Sequence, residues 1–180
     1  MRLEADLVGS NLRLASLDES AASGAYLNWM RDPDVLRYLE ARHGSHDAES
    51  LRCFIRDANG SSDNLLLGMF LKADGRHIGN IKLGPIDRPN RRGEVGFMVG
   101  ERASWGKGYG SEAVELVCRH AFSALGLHKI TAGYIAANKG SARIFTKLGF
   151  FEEGRLKQHF LVEGQWEDGM RVARIADGGT

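Results

Sequence analysis

The residues with the most chemical content lie between positions 94 and 117, in EVGFMVGERASWGKGYGSEAVELV. Gly106, Gly108 and Gly110 alternate with Lys107 and Tyr109 directly ahead of a helical pattern of apolar residues. Lacking side chains, such glycines let successive backbone N–H groups turn toward one point. A helix start adds roughly half a positive charge there, and Lys107 adds a full one. A pyrophosphate is the ligand this chemistry suits. Two common phosphate motifs do not fit. A Walker A loop has four residues between its glycines and a Ser or Thr after the lysine. Here five residues separate Gly100 from Gly106, and Gly108 follows Lys107. A dinucleotide fingerprint needs GxGxxG and an acid at the end of the next strand. GKGYG is too short for it, and the segment 129–136 runs out through Ile-Ala-Ala (135–137) without a carboxylate. The plain alternative is a glycine-rich turn that only lets the chain enter a helix.

Other reactive side chains carry less. Cys53 and Cys118 lie far apart, each in a segment with helical spacing, and read as small buried hydrophobes. His43 and His46 are closely spaced but have no cysteine nearby, so they read as loop residues and no metal site is expected. Trp29, Tyr38 and Trp166 read as core or pocket walls.

The elements that must position the loop follow from periodicity. A short strand is expected at 11–15, and a helix capped by Asp18 to about Met30. Asp32-Pro33 opens a second helix through Leu39, and His46-Asp47 a third that carries Leu51, Phe54 and Ile55. Residues 65–73 and 76–84, joined by Asp74-Gly75, form a hairpin signal. A polar connection from Pro85 to Arg92 leads to a strand at Glu94–Val99. A helix at 110–125 closes at Gly126, followed by strand 129–136 and helix 138–148. Strands at 150–162 and 165–175 turn at Glu163-Gly164. The whole chain, 1–180, is expected to form one domain, an α/β mixed sheet with helices on it.

Lys and Arg total 24 against 23 Asp and Glu, a formal net charge of +1, which excludes a global field for nucleic acid or an anionic membrane. No apolar run reaches the roughly 18 residues of a membrane span, and the N-terminus lacks a signal-peptide pattern. A cytoplasmic location is the expectation.

Downstream of the loop, AANKGSARIFTKLGF (136–150) opens a helix on an asparagine and closes it on Leu-Gly-Phe. With these residues the chain resembles the GNAT acetyltransferases and, within them, the RimJ/RimL-like branch. WGKGYGSEA at 105–113 looks like that branch's pyrophosphate loop. Asn138-x-x-Ser141 with Leu148-Gly149-Phe150 looks like its second CoA motif, and EEGRL (152–156) and EGQWED (163–168) also fit. Many GNATs begin the loop with Gln or Arg. Trp105 stands here instead, as is common in the RimJ/RimL-like branch.

The resemblance implies a mostly antiparallel central sheet, splayed between the fourth and fifth of the seven expected strands and flanked by helices. The pantetheine arm of acetyl-CoA would enter that opening and meet backbone groups of Met98 and Val99. The N–H groups of Lys107, Gly108, Tyr109, Gly110 and Ser111 would hold the pyrophosphate. Asn138 would contact the cofactor arm, and Arg143 its 3′-phosphate. The implied activity is transfer of acetyl to a primary amine, a protein N-terminus or a small molecule such as an amino sugar. A lysine amine near pKa 10.4 costs roughly 4–5 kcal/mol to deprotonate at pH 7, an α-amine near 8 only about 1. A modest base therefore suffices for an α-amine. Glu94 is the candidate, and pairing with Arg91 or Arg92 at the strand edge is its alternative reading. Many relatives protonate the leaving thiolate with a tyrosine where this chain has Phe145, so the role passes to Ser141; a solvated helix residue is the bland reading. His159 faces the acceptor site or is an ordinary sheet residue. A homodimer through the C-terminal strands is implied by family analogy only. Two rivals remain, a non-catalytic acyl-CoA sensor and an interaction module that binds no phosphate.

Overall fold

Residues 65–71 are apolar or glycine throughout, so the sheet they help build is covered on both faces, and by different elements. The computed structural model describes residues 1–176. In chain order they form β1 (Leu7–Val8), β2 (Leu12–Ser16), α1 (Ala25–Trp29), α2 (Pro33–Leu36), α3 (Ala48–Gly60), β3 (Leu65–Leu71), β4 (His77–Asp87) and β5 (Arg92–Val99). Then follow α4 (Tyr109–Ser123), β6 (Lys129–Ile135), α5 (Lys139–Lys147), β7 (Phe151–Val162) and β8 (Gln165–Ile175). The strands make one eight-stranded sheet in the order β1-β2-β3-β4-β5-β6-β8-β7. Every pairing is antiparallel except β5 with β6. No helix among the described residues is long and apolar enough to cross a membrane.

Leu12, Leu14, Leu65, Leu67, Met69, Ile81 and Val95 point to one face and bury against α4. Leu17 and Leu66 point to the other, where α1 supplies Tyr26 and Trp29, α2 Val35 and Leu36, and α3 Leu51 and Ile55. A fully buried Leu or Ile contributes about 1.5–3 kcal/mol relative to exposure, and a one-residue slip would exchange the faces. Burial therefore locks the register. Glu112 of α4 fastens the near edge: its carboxylate accepts from the Asn11 N–H at 2.7 Å and the Leu12 N–H at 3.0 Å.

Several expectations are adjusted. The first helix is broken: a 3-10 turn at Glu19–Ala22 ends before Gly24, whose φ of +66° an α-helix cannot contain, and α1 begins after it. Asp18 caps nothing through its side chain, which pairs with Arg2 instead. The second helix stops at Leu36, short of the expected Leu39. Asp32 does cap it, and Asp47 forms a reciprocal capping box with Ser50 on α3. β4 continues through Pro85 to Asp87, because the ladder shifts between Leu83 and Ile86 around a residue with no N–H to donate. Phe54 and Trp166 are exposed, not core or pocket wall, and Cys53 is only half-buried. Cys118 is buried, which pushes its thiol up to about 12.

Candidate active site

β5 and β6 run parallel and hold together only at Arg92–Glu94 against Lys129–Thr131. Beyond that point they part. Gly96–Val99 pair only with β4, and Ala132–Ile135 only with β8. The backbones of two neighbouring strands thus face each other across a gap with unmet hydrogen-bonding groups, space for one extended chain.

The glycine loop stands at the end of β5. Gly106 and Gly108 take φ of +73° and +86°, a left-handed conformation that turns the chain directly into α4. No described residue accepts a hydrogen bond from the N–H of Lys107, Gly108, Tyr109, Gly110 or Ser111; the first N–H bond of α4 is Glu112 to the Gly108 carbonyl. Five unpaired donors at the head of a 15-residue helix form a cradle for an anion. Gly110 is tight for a separate reason. A Cβ there would lie 2.9 Å from Ile144 Cδ1 and 3.0 Å from a Phe97 ring carbon, so α4 sits close against β5 and α5. Tyr109 packs its ring toward the core beneath the loop. Trp105 donates its indole N–H to the Val99 carbonyl at 2.7 Å. That carbonyl is taken, and the indole ties the loop to the end of β5.

α5 crosses near the gap, anchored by Phe145, whose ring meets Phe97, Tyr134 and Phe150. Asn138 caps it by accepting the Ser141 N–H at 3.0 Å. The Asn138 amide NH2 and the Ser141 hydroxyl make no hydrogen bond to any described residue. Arg143 is exposed on the same helix.

Strand alternation sets Glu94 on the opposite face from Val95 and Phe97, and so on the opposite side of the sheet from α5. There Glu94 borders a cleft of about 360 Å³ with Tyr38, Glu40, Tyr134, His159, Phe160 and Arg171. The expected alternative partners of Glu94 are engaged elsewhere: Arg91 donates to the Gly126 carbonyl and Arg92 to Asp87. Arg171 takes the place, with a guanidinium nitrogen 3.2 Å from Glu94 Oε1. Gly133, opposite Arg171 in the ladder, has no side chain to block it; a Cβ there would lie 3.2 Å from the guanidinium.

Two cleft side chains, Arg171 and Glu40, and two residues behind its wall, Tyr134 and Asp168, escape sequence reasoning. Arg171 and Glu40 come from segments with no motif. Tyr134 stacks on Phe145 at 5.8 Å and 19°, beside the position where many relatives carry a tyrosine. Burial raises its hydroxyl pKa, with help from Glu152, which keeps it protonated and able to donate. Asp168 shapes the wall indirectly. It accepts the Gln158 N–H at 2.8 Å and pairs with Arg155 at 2.6 Å, holding the irregular turn of β7 where Gln158 has φ of +46°. These bonds draw its carboxyl down to about 2.

The family model for the acetyltransferase (GNAT) domain matches residues 11–151. The probable N-acetyltransferase YjcK of Bacillus subtilis (strain 168) is 39% identical over 102 residues, which span 56% of this chain and 56% of YjcK. The [ribosomal protein uS5]-alanine N-acetyltransferase of Escherichia coli (strain K12) is 35% identical over 80 residues, 44% of this chain and 40% of that protein. The chain thus spans about half the length of these two relatives. Spermidine N-acetyltransferase from Vibrio cholerae, in complex with CoA and spermine, shares the fold with a TM-score of 0.84 at 20% identity, covering 93% of this chain and 96% of that one. With the splayed strands, the glycine loop and a family match across most of its length, the chain belongs to the GNAT acetyltransferases, with RimJ/RimL-like enzymes among its relatives.

Proposed function

We propose that the chain is an acetyl-CoA-dependent N-acetyltransferase in which a primary amine attacks the donor directly in a ternary complex. The amine is a peptide N-terminus or that of a small molecule. The observation that carries this reading is the run of five unpaired N–H groups beside the gap between β5 and β6, with the Glu94 cleft opening on the far face.

Lys107 to Ser111 would hold the pyrophosphate, and the unpaired edges of β5 and β6 would hold the pantetheine arm as an added strand. Asn138 has an amide NH2 to give, since its oxygen already caps α5. Acetyl-CoA supplies the activated acyl group; the chain supplies position and proton traffic. The acceptor reaches the cleft as an ammonium and loses a proton to Glu94, directly or through one water. Glu94 is free to accept once Arg171 yields its contact. A backbone N–H near Met98 can stabilise the oxyanion that develops, worth a few kcal/mol of barrier. The departing thiolate takes a proton from the Ser141 hydroxyl, which recovers one through water as the attacking nitrogen sheds its second proton; Glu94 returns its own to solvent, and Ser141 stands on the opposite face of the sheet from that base. Acid and base are thereby kept apart.

Calorimetric titration of acetyl-CoA into the folded protein tests the reading. One site per chain is expected, and Gly108→Ala should weaken it. Folded protein that gives no heat with acetyl-CoA would remove the proposal.

A further inference from the structure

Beside the acceptor cleft lies a second, larger cavity of about 670 Å³ with a cationic lining. Arg31, Arg37, Arg42, His43 and His46 border it against a single lining carboxylate, Glu163, with Asp47 behind it close enough to feel the charge of Arg31. Glu163 is already matched, because Arg37 holds it at 2.6 Å. Arg31 gives its Nε to the His46 carbonyl at 3.3 Å. Arg42 carries the most information. Its terminal nitrogens donate to the Leu39 carbonyl at 2.8 Å and the Leu161 carbonyl at 3.3 Å. Its Nε is buried and donates to nothing, and Arg42 forms no ion pair among the described residues. The Arg42 charge lies over the Phe160 ring, 5.9 Å from its centroid, and no described carboxylate meets it; a guanidinium partly withdrawn from water with only a ring for compensation keeps a desolvation cost that a bound anion relieves. Its planar fork matches a carboxylate or a phosphate.

The two cavities share a wall. Tyr38 and Glu40 with His159 and Phe160 face the acceptor cleft, while Arg42 with Leu161 and Glu163 faces the cationic cavity. Phe160 and Leu161 are consecutive in β7, and from His159 to Val162 a strand advances only about 10 Å. The signs are opposite. Glu40 and Glu94 outnumber Arg171 in the cleft, whereas three arginines outnumber Glu163 next door. A molecule lying along β7 therefore meets one end suited to an ammonium and another suited to an anion.

We propose that the acceptor is an anionic amine: its amino group enters the Glu94 cleft, and a carboxylate or phosphate several bonds away sits against Arg42 and Arg31. This rests on the acetyltransferase reading and names the substrate class for it. A polyamine fits poorly, since its second ammonium would meet the arginines.

The test compares kcat/KM on the wild-type protein for peptides beginning Ala-Glu, Ala-Gln and Ala-Lys, for glucosamine against glucosamine 6-phosphate, and for spermidine. The anionic member of a pair should exceed its neutral counterpart about tenfold, through KM, as expected for a charge-assisted contact. The peptide arm and the sugar arm separate a carboxylate source from a phosphate source. Arg31→Gln and Arg42→Lys should bring the anionic-to-neutral ratio toward one; because Arg42 also staples β7, Arg31→Gln stands as the variant free of that role. Neutral or cationic acceptors matching the anionic ones, or a ratio that survives both substitutions, overturns the inference and leaves acetyl transfer intact. A protein that acetylates no amine, or binds no acetyl-CoA, overturns both.

Discussion

Glu94 is held by Arg171, a contact it would have to release to act as the proposed base, and the pH profile tests that role. Glu94→Gln keeps the shape and removes the base. The rate should fall more at pH 7 than at pH 9, where most of an α-amine is already neutral. Equal losses at both pH values would assign Glu94 to its Arg171 pair alone. On the other face, Ser141→Ala should lower kcat on the order of 10²-fold while leaving acetyl-CoA affinity unchanged. If Ser141→Ala is silent and Tyr134→Phe is not, the acid is Tyr134. Of these residues, Glu94 and Ser141 are legible because the strand and the helix cap that carry them sit beside recognisable motifs. Arg171 and Tyr134 are not, because only the pairing of β6 with β5 and β8 sets the first on the Glu94 face and the second on the α5 face.

Loop and strand geometry decide whether those side chains are in place. Gly108 caps α4 in a left-handed conformation, so Gly108→Ala adds about 1 kcal/mol of backbone strain. It should raise KM for acetyl-CoA with little change in kcat; a fall in kcat alone would place the loop in chemistry rather than binding. β7 makes a separate prediction. Asp168 has a folded pKa of about 2, below the ordinary 3.8, so its contribution is complete above 3.8 and is lost as pH falls toward 2. Acid unfolding followed by circular dichroism should show a shallower slope between pH 4 and 2 in Asp168→Asn than in the wild type. An identical slope would mean that Asp168 does not anchor β7. The hairpin β3–β4, helix α4 and the pair β7–β8 are legible from period and turn residues. The region before residue 60 is only partly so, because Gly24 breaks a helical pattern whose apolar spacing looks continuous.

The whole molecule is a sheet between two unequal cores, and the smaller core carries titratable groups. His77 lies among Tyr26, Trp29 and Phe70 and shares a 2.8 Å hydrogen bond with Asn80. Burial lowers its pKa below the ordinary 6.5, only partly offset by that bond. The unfolded chain therefore binds the proton better, and stability is full above 6.5 and falls as pH drops below it. Denaturant midpoints measured from pH 7 to 5 should decline in the wild type and decline less in His77→Gln. Burial also pushes the Tyr26 hydroxyl up to about 12, so it stays neutral throughout that range. This core packs α1 to α3 and, through Leu39, the segment whose Tyr38 and Glu40 border the Glu94 cleft, and no periodicity announces which ring meets which.

Acetyl transfer itself is the measurement closest to the central claim. Purified protein would be incubated with acetyl-CoA and a free-amine peptide or amino sugar, with released CoA and acetylated amine quantified in the same reaction. The expected result is equal amounts of both, dependent on the acceptor and lost in Gly108→Ala at limiting acetyl-CoA. Firm acetyl-CoA binding with no acceptor-dependent CoA release from any of these amines would contradict it, and would make the chain a binder of acetyl-CoA that transfers nothing.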